Sequence, residues 1–157
     1  MKSKKDIRTL LLEQLEGRNT HVAFDQAIQG LTFKQVGIRV EGIPHTIWEL
    51  IEHIRIAQDD ILEFCKNPDY EDLDWPDEYW PAESKPESKE AFEQSLQLVR
   101  DGINEMRELI MDPTNNLQRP FDHGDGQTLF REAMLIVDHN AYHIGQIVLI
   151  RRLLGSW

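Results

Sequence analysis

Two histidines, His139 and His143, stand four residues apart in the largely apolar run "DHNAYHIGQIVLI" near the end of the chain. Residues four apart on an α-helix lie on the same face, about one turn from each other. Such a pair is a common set of two ligands for a transition metal. Binding to the metal gives a ring nitrogen of each buried imidazole the polar partner that it would otherwise lack. When only such a pair is known, the more common alternative to metal binding is that both histidines lie at a solvated edge of the bundle. There their rings form hydrogen bonds with the backbone or with water. A third histidine is therefore needed to favour a metal.

That third residue is His53, which lies on the apolar side of an earlier predicted helix. One imidazole opposite a pair gives a three-histidine site, and catalytic zinc sites often combine three protein ligands with an open position. We therefore predict that His53, His139 and His143 bind a divalent metal. Asp138 and Gln146 stand near enough to accept a hydrogen bond from the second nitrogen of a ligand ring.

Three further residues are candidates for acid–base catalysis, and the sequence does not select among them. His45 stands roughly 12 Å along the helix from His53, too far to share a metal but near enough to reach a substrate. Glu49, one turn before His53, can be a fourth ligand, a hydrogen-bond acceptor, a general base or an exposed charge. Tyr142 points about 100° round the helix from His143 and can also belong to the core or to an interface.

Other kinds of site fit the sequence less well. Asn140 occupies the position where a zincin carries its general-base glutamate, and the chain has no Glu-x-x-His motif for a di-iron bundle. The single cysteine, Cys65, has no cysteine partner, and we expect it to be a half-buried apolar residue. We expect His21 and His123 in solvated or loop-stabilising positions.

Four helical stretches are predicted to carry these residues. In the second stretch, Thr46 and Glu49 have the spacing of a capping box, and Thr32 is suited to cap a short helical turn before it. The first stretch covers about residues 4–30, with a break near 16–20, and the second runs from Pro44 or Thr46 to Lys66. The third covers about 88–111 and begins at a Ser88 cap, and the fourth runs from about Thr128 to Leu154. Amphipathic helices separated by loops predict an all-α four-helix bundle.

The longest non-periodic segment, residues 67–87, contains four prolines and a concentration of large aromatic residues between 70 and 81. The prolines exclude a regular helix. A mobile linker does not need large aromatic side chains. We therefore expect this loop to pack on the bundle or on a partner, in a role that the sequence does not define.

Length and charge limit the classes of function. The 157 residues fit one domain, 1–157, and the net charge of −11 argues against binding to nucleic acid or to an anionic membrane surface. No apolar run is long enough to span a membrane, and the first residues lack the features of a signal peptide. We expect a cytoplasmic protein.

The segments "IPHTIWELIEHIRIAQDDILEF" and "DHNAYHIGQIVLIRRLLG" resemble the DinB-like (YfiT-like) superfamily of proposed metalloenzymes. The resemblance covers most of the chain, and the "WPDEYWP" loop is similar to that of one subgroup. It implies an up-down-down-up four-helix bundle, often a homodimer, with zinc or nickel held by three histidines. Carried over to this chain, those ligands are His53, His139 and His143. Related activities include thiol-dependent S-transfer and a mycothiol-dependent isomerisation.

Three hypotheses follow for the function. The first is a metal-dependent enzyme, either a hydrolase or a thiol S-transferase, acting on a small molecule and in the second case with a low-molecular-weight thiol. The second is a non-catalytic metal-binding or dimerisation module, for instance in a stress response. The third is a bundle with three buried, hydrogen-bonded histidines, which predicts that chelators leave thermal stability unchanged, whereas a bound metal raises it by mass action.

Overall fold

The computed structural model of the protein describes residues 5–17 and 21–157, and in that part of the chain it contains α-helices and no β-strand. The predicted all-α fold is therefore confirmed. The helices are α1 (Ile7–Leu15), α2 (Phe24–Ile28), α3 (Phe33–Val36), α4 (Ile47–Lys66), α5 (Lys89–Met111) and α6 (Leu129–Leu153). The predicted start near residue 4, and the part of the predicted break at 18–20, lie outside the described residues.

Each of the three long helices begins after a residue whose side chain caps it, and the sequence predicted two of these caps, Thr46 and Ser88. Thr46 Oγ1 accepts a hydrogen bond from the amide of Glu49 at 3.2 Å, and Glu49 Oε2 accepts one from the amide of Thr46 at 2.6 Å. This reciprocal pair is the predicted capping box of α4. Ser88 caps α5 and Thr128 caps α6 without a reciprocal bond. In each case the side-chain hydroxyl accepts a hydrogen bond from one backbone N–H of the first turn. Local side-chain chemistry thus defines where each long helix starts.

Two buried apolar clusters give the direction of each helix. One cluster contains the first halves of α4 and α5 together with the second half of α6 and with α2. The other contains the second halves of α4 and α5 together with the first half of α6 and with α1. Helices α4 and α5 therefore run parallel, and α6 and the α1–α2 arm run antiparallel to them. This order is up-down-down-up.

Parallel packing of α4 and α5 requires the chain to return along the bundle between them. The 20-residue helix α4 is roughly 30 Å long at 1.5 Å per residue, so a short turn cannot make this connection. Residues 67–88 provide it, with a short 3-10 turn at Asp77–Tyr79. The hydroxyls of Tyr70 and Tyr79 each donate to Asp60 of α4 at 2.7 Å, and Trp80 packs on the first cluster. The expectation that this loop packs on the bundle is confirmed, although Trp75 remains 72% exposed.

Candidate metal centre

Three histidines meet between α4 and α6, which pack directly against each other. His53 comes from α4, and His139 and His143 come from α6. Each offers one ring nitrogen, and these three atoms lie within 4.8 Å of one another. His53 and His143 are buried, at 3% and 6% exposed, whereas His139 is partly exposed. The structure thus brings together the three residues that the sequence singled out as one group that could hold a metal ion.

The rings are oriented by acceptors outside the group. His53 Nδ1 lies 2.7 Å from the carbonyl oxygen of Tyr79, and His143 Nδ1 lies 2.8 Å from Oε1 of Gln146. A carbonyl oxygen can only accept, so in both rings Nδ1 carries the proton and Nε2 keeps its lone pair. This is the arrangement that ligating histidines adopt, with one nitrogen for the metal and the other donating to an acceptor.

The spacing of the nitrogens also suits a metal. His53 Nε2 and His139 Nε2 are 3.0 Å apart. Two imidazole nitrogens bound at about 2.0–2.1 Å to one tetrahedral zinc are separated by roughly 3.3 Å. Only a few tenths of an ångström therefore separate the observed pair from that geometry. The donor set and its spacing fit a divalent metal that accepts nitrogen ligands.

The environment keeps the imidazoles neutral. Burial, together with the adjacent His143 and His53, lowers the pKa of His139 to about 4. Burial also lowers the pKa of His53 and the pKa of His143, against the opposing effect of their hydrogen bonds. A neutral imidazole is the form that binds a metal. At neutral pH no charged imidazolium of the group therefore has to be neutralised before a metal binds.

An aromatic stack closes one side of the group. The indole of Trp80 lies flat on the His53 ring, with centroids 3.9 Å apart and planes 5° apart. The ring of His45 stacks on the same indole at 4.0 Å and 9°. Trp80 is thus sandwiched between the two imidazoles. His45, predicted to lie too far from His53 to share a metal, is separated from it by this indole.

The other predicted site residues occupy different positions. Glu49 is engaged in the α4 capping box and in an ion pair with Arg39 at 2.8 Å. Tyr142 is 66% exposed, and its ring contacts that of His143 with centroids 4.9 Å apart. Gln146 contacts a histidine as expected, whereas Asp138 is an exposed residue of α6. The catalytic roles of Glu49, His45 and Tyr142 stay predictions.

The acceptor for His53 was missed by the sequence interpretation. It is the main-chain carbonyl of Tyr79, and a main-chain carbonyl carries no signal in the residue type. The concentration of aromatic residues in the 70–81 loop was the available sign that this segment lies against the bundle. Outside the group, His123 Nε2 bonds the carbonyl of Phe64 at 2.8 Å and His21 Nδ1 bonds that of Val22 at 2.9 Å, the loop-stabilising positions expected for them.

The fold and the site together define a helical bundle with a buried three-histidine group that could bind a metal. A comparison with protein-family models matches residues 17–147, well over half of the chain, to the DinB superfamily. The chain therefore belongs to the DinB superfamily. No curated protein and no solved structure gives a significant match to it. In the described residues, no helix has the length and apolar character needed to cross a membrane.

Proposed function

We propose that this chain is a divalent-metal-dependent enzyme whose metal is held by His53, His139 and His143. The observation that carries the proposal is the set of three neutral imidazoles within ligand distance, two of which have Nδ1 engaged so that Nε2 faces the group. Three protein ligands leave a coordination position for substrate, as in catalytic sites. His139 is partly exposed, which is consistent with access from solvent.

Zinc or nickel is the metal that we propose. Imidazole nitrogens suit zinc, copper, iron and nickel, whereas magnesium and calcium prefer oxygen ligands. When bound, such a metal supplies Lewis-acid chemistry that activates a water molecule or a thiol for attack on an electrophile. The chain's own residues hold the ligand rings, and the indole of Trp80 shields one face of His53.

The proposed reaction is hydrolysis of a small molecule or transfer of a low-molecular-weight thiol to an electrophile. Of the three catalytic candidates, Tyr142 is the one whose ring contacts a proposed ligand, because Trp80 stands between His45 and His53 and Glu49 is held by Arg39. This contact favours Tyr142 as the proton donor or as the residue that orients the substrate.

A turnover screen tests this proposal. Protein reconstituted with zinc or with nickel is assayed with thiols against electrophiles, and with ester and amide substrates, in the presence and absence of a chelator. We expect turnover that the chelator removes, that His53→Ala abolishes and that the matched variant His123→Ala retains. Turnover that survives the chelator, or none in any metal-loaded sample, would contradict the enzymatic proposal.

The alternative is a non-catalytic metal-binding and dimerisation module, and the surface of α6 supports a dimer. Leu135, Tyr142 and Leu149 are exposed at intervals of seven residues, and between them the Cβ position of Gly145 meets no neighbour within 4 Å. An apolar stripe at heptad spacing is suited to pack against another helix. We propose that a second copy of the chain covers it, as expected for a homodimer.

The charges of the stripe favour a particular arrangement. Asp138 lies seven residues before Gly145, and Arg152 lies seven residues after it, both exposed. If two α6 helices cross antiparallel about Gly145, Asp138 of each chain faces Arg152 of the other. Parallel packing would instead place like charges opposite each other, which is unfavourable. The proposed homodimer is therefore antiparallel along α6.

A further inference from the structure

Asp60 lies on α4 seven residues after His53, roughly 10 Å along the helix. Its Oδ1 accepts a hydrogen bond from the hydroxyl of Tyr70, and its Oδ2 accepts one from the hydroxyl of Tyr79, both at 2.7 Å. Hydrogen bonds to a charged acceptor are about twice as strong as neutral ones. Both oxygens of one carboxylate are therefore used to attach the aromatic loop to α4.

The two tyrosines remain donors over the whole neutral range. Burial raises the pKa of Tyr70 and the pKa of Tyr79, and the negative charge of Asp60 raises both further because it disfavours a second anion. A protonated hydroxyl facing a carboxylate can act only as the donor. In both hydrogen bonds that attach the loop to α4, the tyrosine hydroxyl is therefore the donor and Asp60 is the acceptor.

Tyr79 connects this attachment to the proposed metal centre. Its side chain donates to Asp60, while its own carbonyl oxygen accepts the Nδ1–H of His53 at 2.7 Å. The next residue, Trp80, lies on the His53 ring with centroids 3.9 Å apart. Residues 79 and 80 thus contact His53 both at its Nδ1 and on one face of its ring.

We infer that Asp60 is a positioning residue for the metal centre, acting through Tyr79 on the tautomer and orientation of His53. The inference rests on the proposed function insofar as His53 is a ligand. Asp60 is roughly 10 Å along the helix from His53, and its two carboxylate oxygens bind the hydroxyls of Tyr70 and Tyr79. Its effect is transmitted through the main chain of the loop, and its loss frees the Tyr79 carbonyl to move away from His53.

A zinc competition titration against a chromophoric chelator tests the inference on the full-length chain. Loss of an interaction that orients a ligand typically weakens metal affinity by 10–100-fold, so we expect Asp60→Asn to bind zinc roughly tenfold more weakly. The matched control is Asp59→Asn, the same change one residue earlier, where the carboxylate pairs with Arg55 at 2.9 Å. That variant should keep wild-type affinity.

Two tyrosine variants separate positioning from general stability. Tyr79→Phe removes the hydroxyl on the residue whose carbonyl holds His53, and we expect it to weaken zinc binding about as much as Asp60→Asn. Tyr70→Phe removes the other hydroxyl and leaves Tyr79 attached, so we expect it to weaken zinc binding less. If Asp60→Asn fails to fold, Tyr79→Phe carries the same test. Equal zinc affinity in Tyr79→Phe and wild type would overturn the inference.

A second measurement does not require a metal. In metal-free protein labelled with ¹⁵N in histidine, NMR reports which nitrogen of His53 carries the proton. We expect a protonated Nδ1 with slow exchange in wild type and in Asp59→Asn, and a loss of this signature in Asp60→Asn. Retention of the signature in Asp60→Asn would overturn the inference. If wild type binds no zinc, the proposed function fails, while this measurement still decides whether Asp60 positions His53.

Discussion

The proposed site depends first on the protonation of individual imidazoles. His139 shows the largest effect, because burial and the two neighbouring histidines lower its pKa to about 4. The ordinary value is 6.5, so His139 is neutral in the fold over a range in which it is protonated in the unfolded chain. The pKa values of His53 and His143 are lowered as well. These residues therefore link folding to pH.

We predict that metal-free protein loses stability as the pH falls from about 6.5 to about 4, the window set by His139. In that window the unfolded chain binds more protons than the folded one, so the free energy of unfolding decreases with decreasing pH. Above the window both states are neutral at this residue, and its contribution is fully present. Urea unfolding in chelator at pH 7.5, 6 and 5 measures the slope.

The matched control for this pH dependence is His139→Asn, which removes the titrating group and should give a shallower slope between pH 6.5 and 5. Carboxylates contribute to both proteins alike, so the difference between the two slopes isolates the histidine. Identical slopes in wild type and His139→Asn would contradict the assignment.

Cys65 gives a second prediction at this scale. Burial, together with the nearby carboxylate of Glu132, raises the pKa of its thiol to about 12. Because the thiolate is the reactive form, native protein at pH 8 should react with a disulfide reagent very slowly, and unfolded protein rapidly. Rapid labelling of the folded chain would contradict this account. The sequence predicted a half-buried apolar residue here, and Cys65 is partly buried in the fold.

For the individual residues of the site, the sequence could predict which side chains come together. It could not predict the main-chain group that orients one of them by a hydrogen bond. The identity and order of His53, His139 and His143 are visible in the chain, as is the proximity of Gln146. The carbonyl of Tyr79 is not, because main-chain groups are common to all residues and only the folded path of the loop brings this one to His53.

At the level of elements, the beginnings of the long helices were predictable because their signals are local. Thr46, Ser88 and Thr128 each cap the helix that follows, within three residues of the groups they bind. The path of residues 67–88 was not predictable in detail, because it depends on contacts with α4 that are distant in sequence, such as those of Tyr70 and Tyr79 with Asp60.

The cap of α4 supports a testable prediction. Thr46 is fully buried, and besides the amide of Glu49 it binds the carbonyl of Ser84 in the connecting segment. Loss of an N-cap hydroxyl costs about 0.5–2 kcal/mol, and the lost bond to Ser84 places Thr46→Ala toward the upper end. Thr46→Ser keeps the hydroxyl and is the control. Urea unfolding that finds Thr46→Ala as stable as Thr46→Ser would contradict this role.

For the whole molecule, the up-down-down-up order has a structural consequence for the site. Parallel α4 and α5 require a connection that runs back along the bundle, and this connection passes His53 and delivers Trp80 to its ring. The residues alone left the order of the helices open, since connection lengths permit several. The family resemblance implied the observed order, and the two buried clusters confirm it.

Measuring the molar mass of the protein in solution by light scattering tests the proposed homodimer. Leu149→Asp places a charge in the α6 stripe and should convert a dimer to a monomer in light scattering, whereas Leu98→Asp, at an exposed leucine of α5, should not. Asp138→Arg should weaken the dimer by placing two arginines opposite each other, and adding Arg152→Asp should restore it. A monomeric wild type, or a dimer unaffected by Leu149→Asp, would contradict the interface.

The central claim is that His53, His139 and His143 together bind one divalent metal, and metal content tests it most directly. Protein is loaded with zinc, dialysed and analysed by mass spectrometry for metal per chain. We predict one zinc per chain in wild type and in His123→Ala, whose ring lies outside the group at the carbonyl of Phe64. Each of the variants His53→Ala, His139→Ala and His143→Ala should retain far less. Absence of zinc in wild type, or an unchanged content in His53→Ala, would contradict the claim.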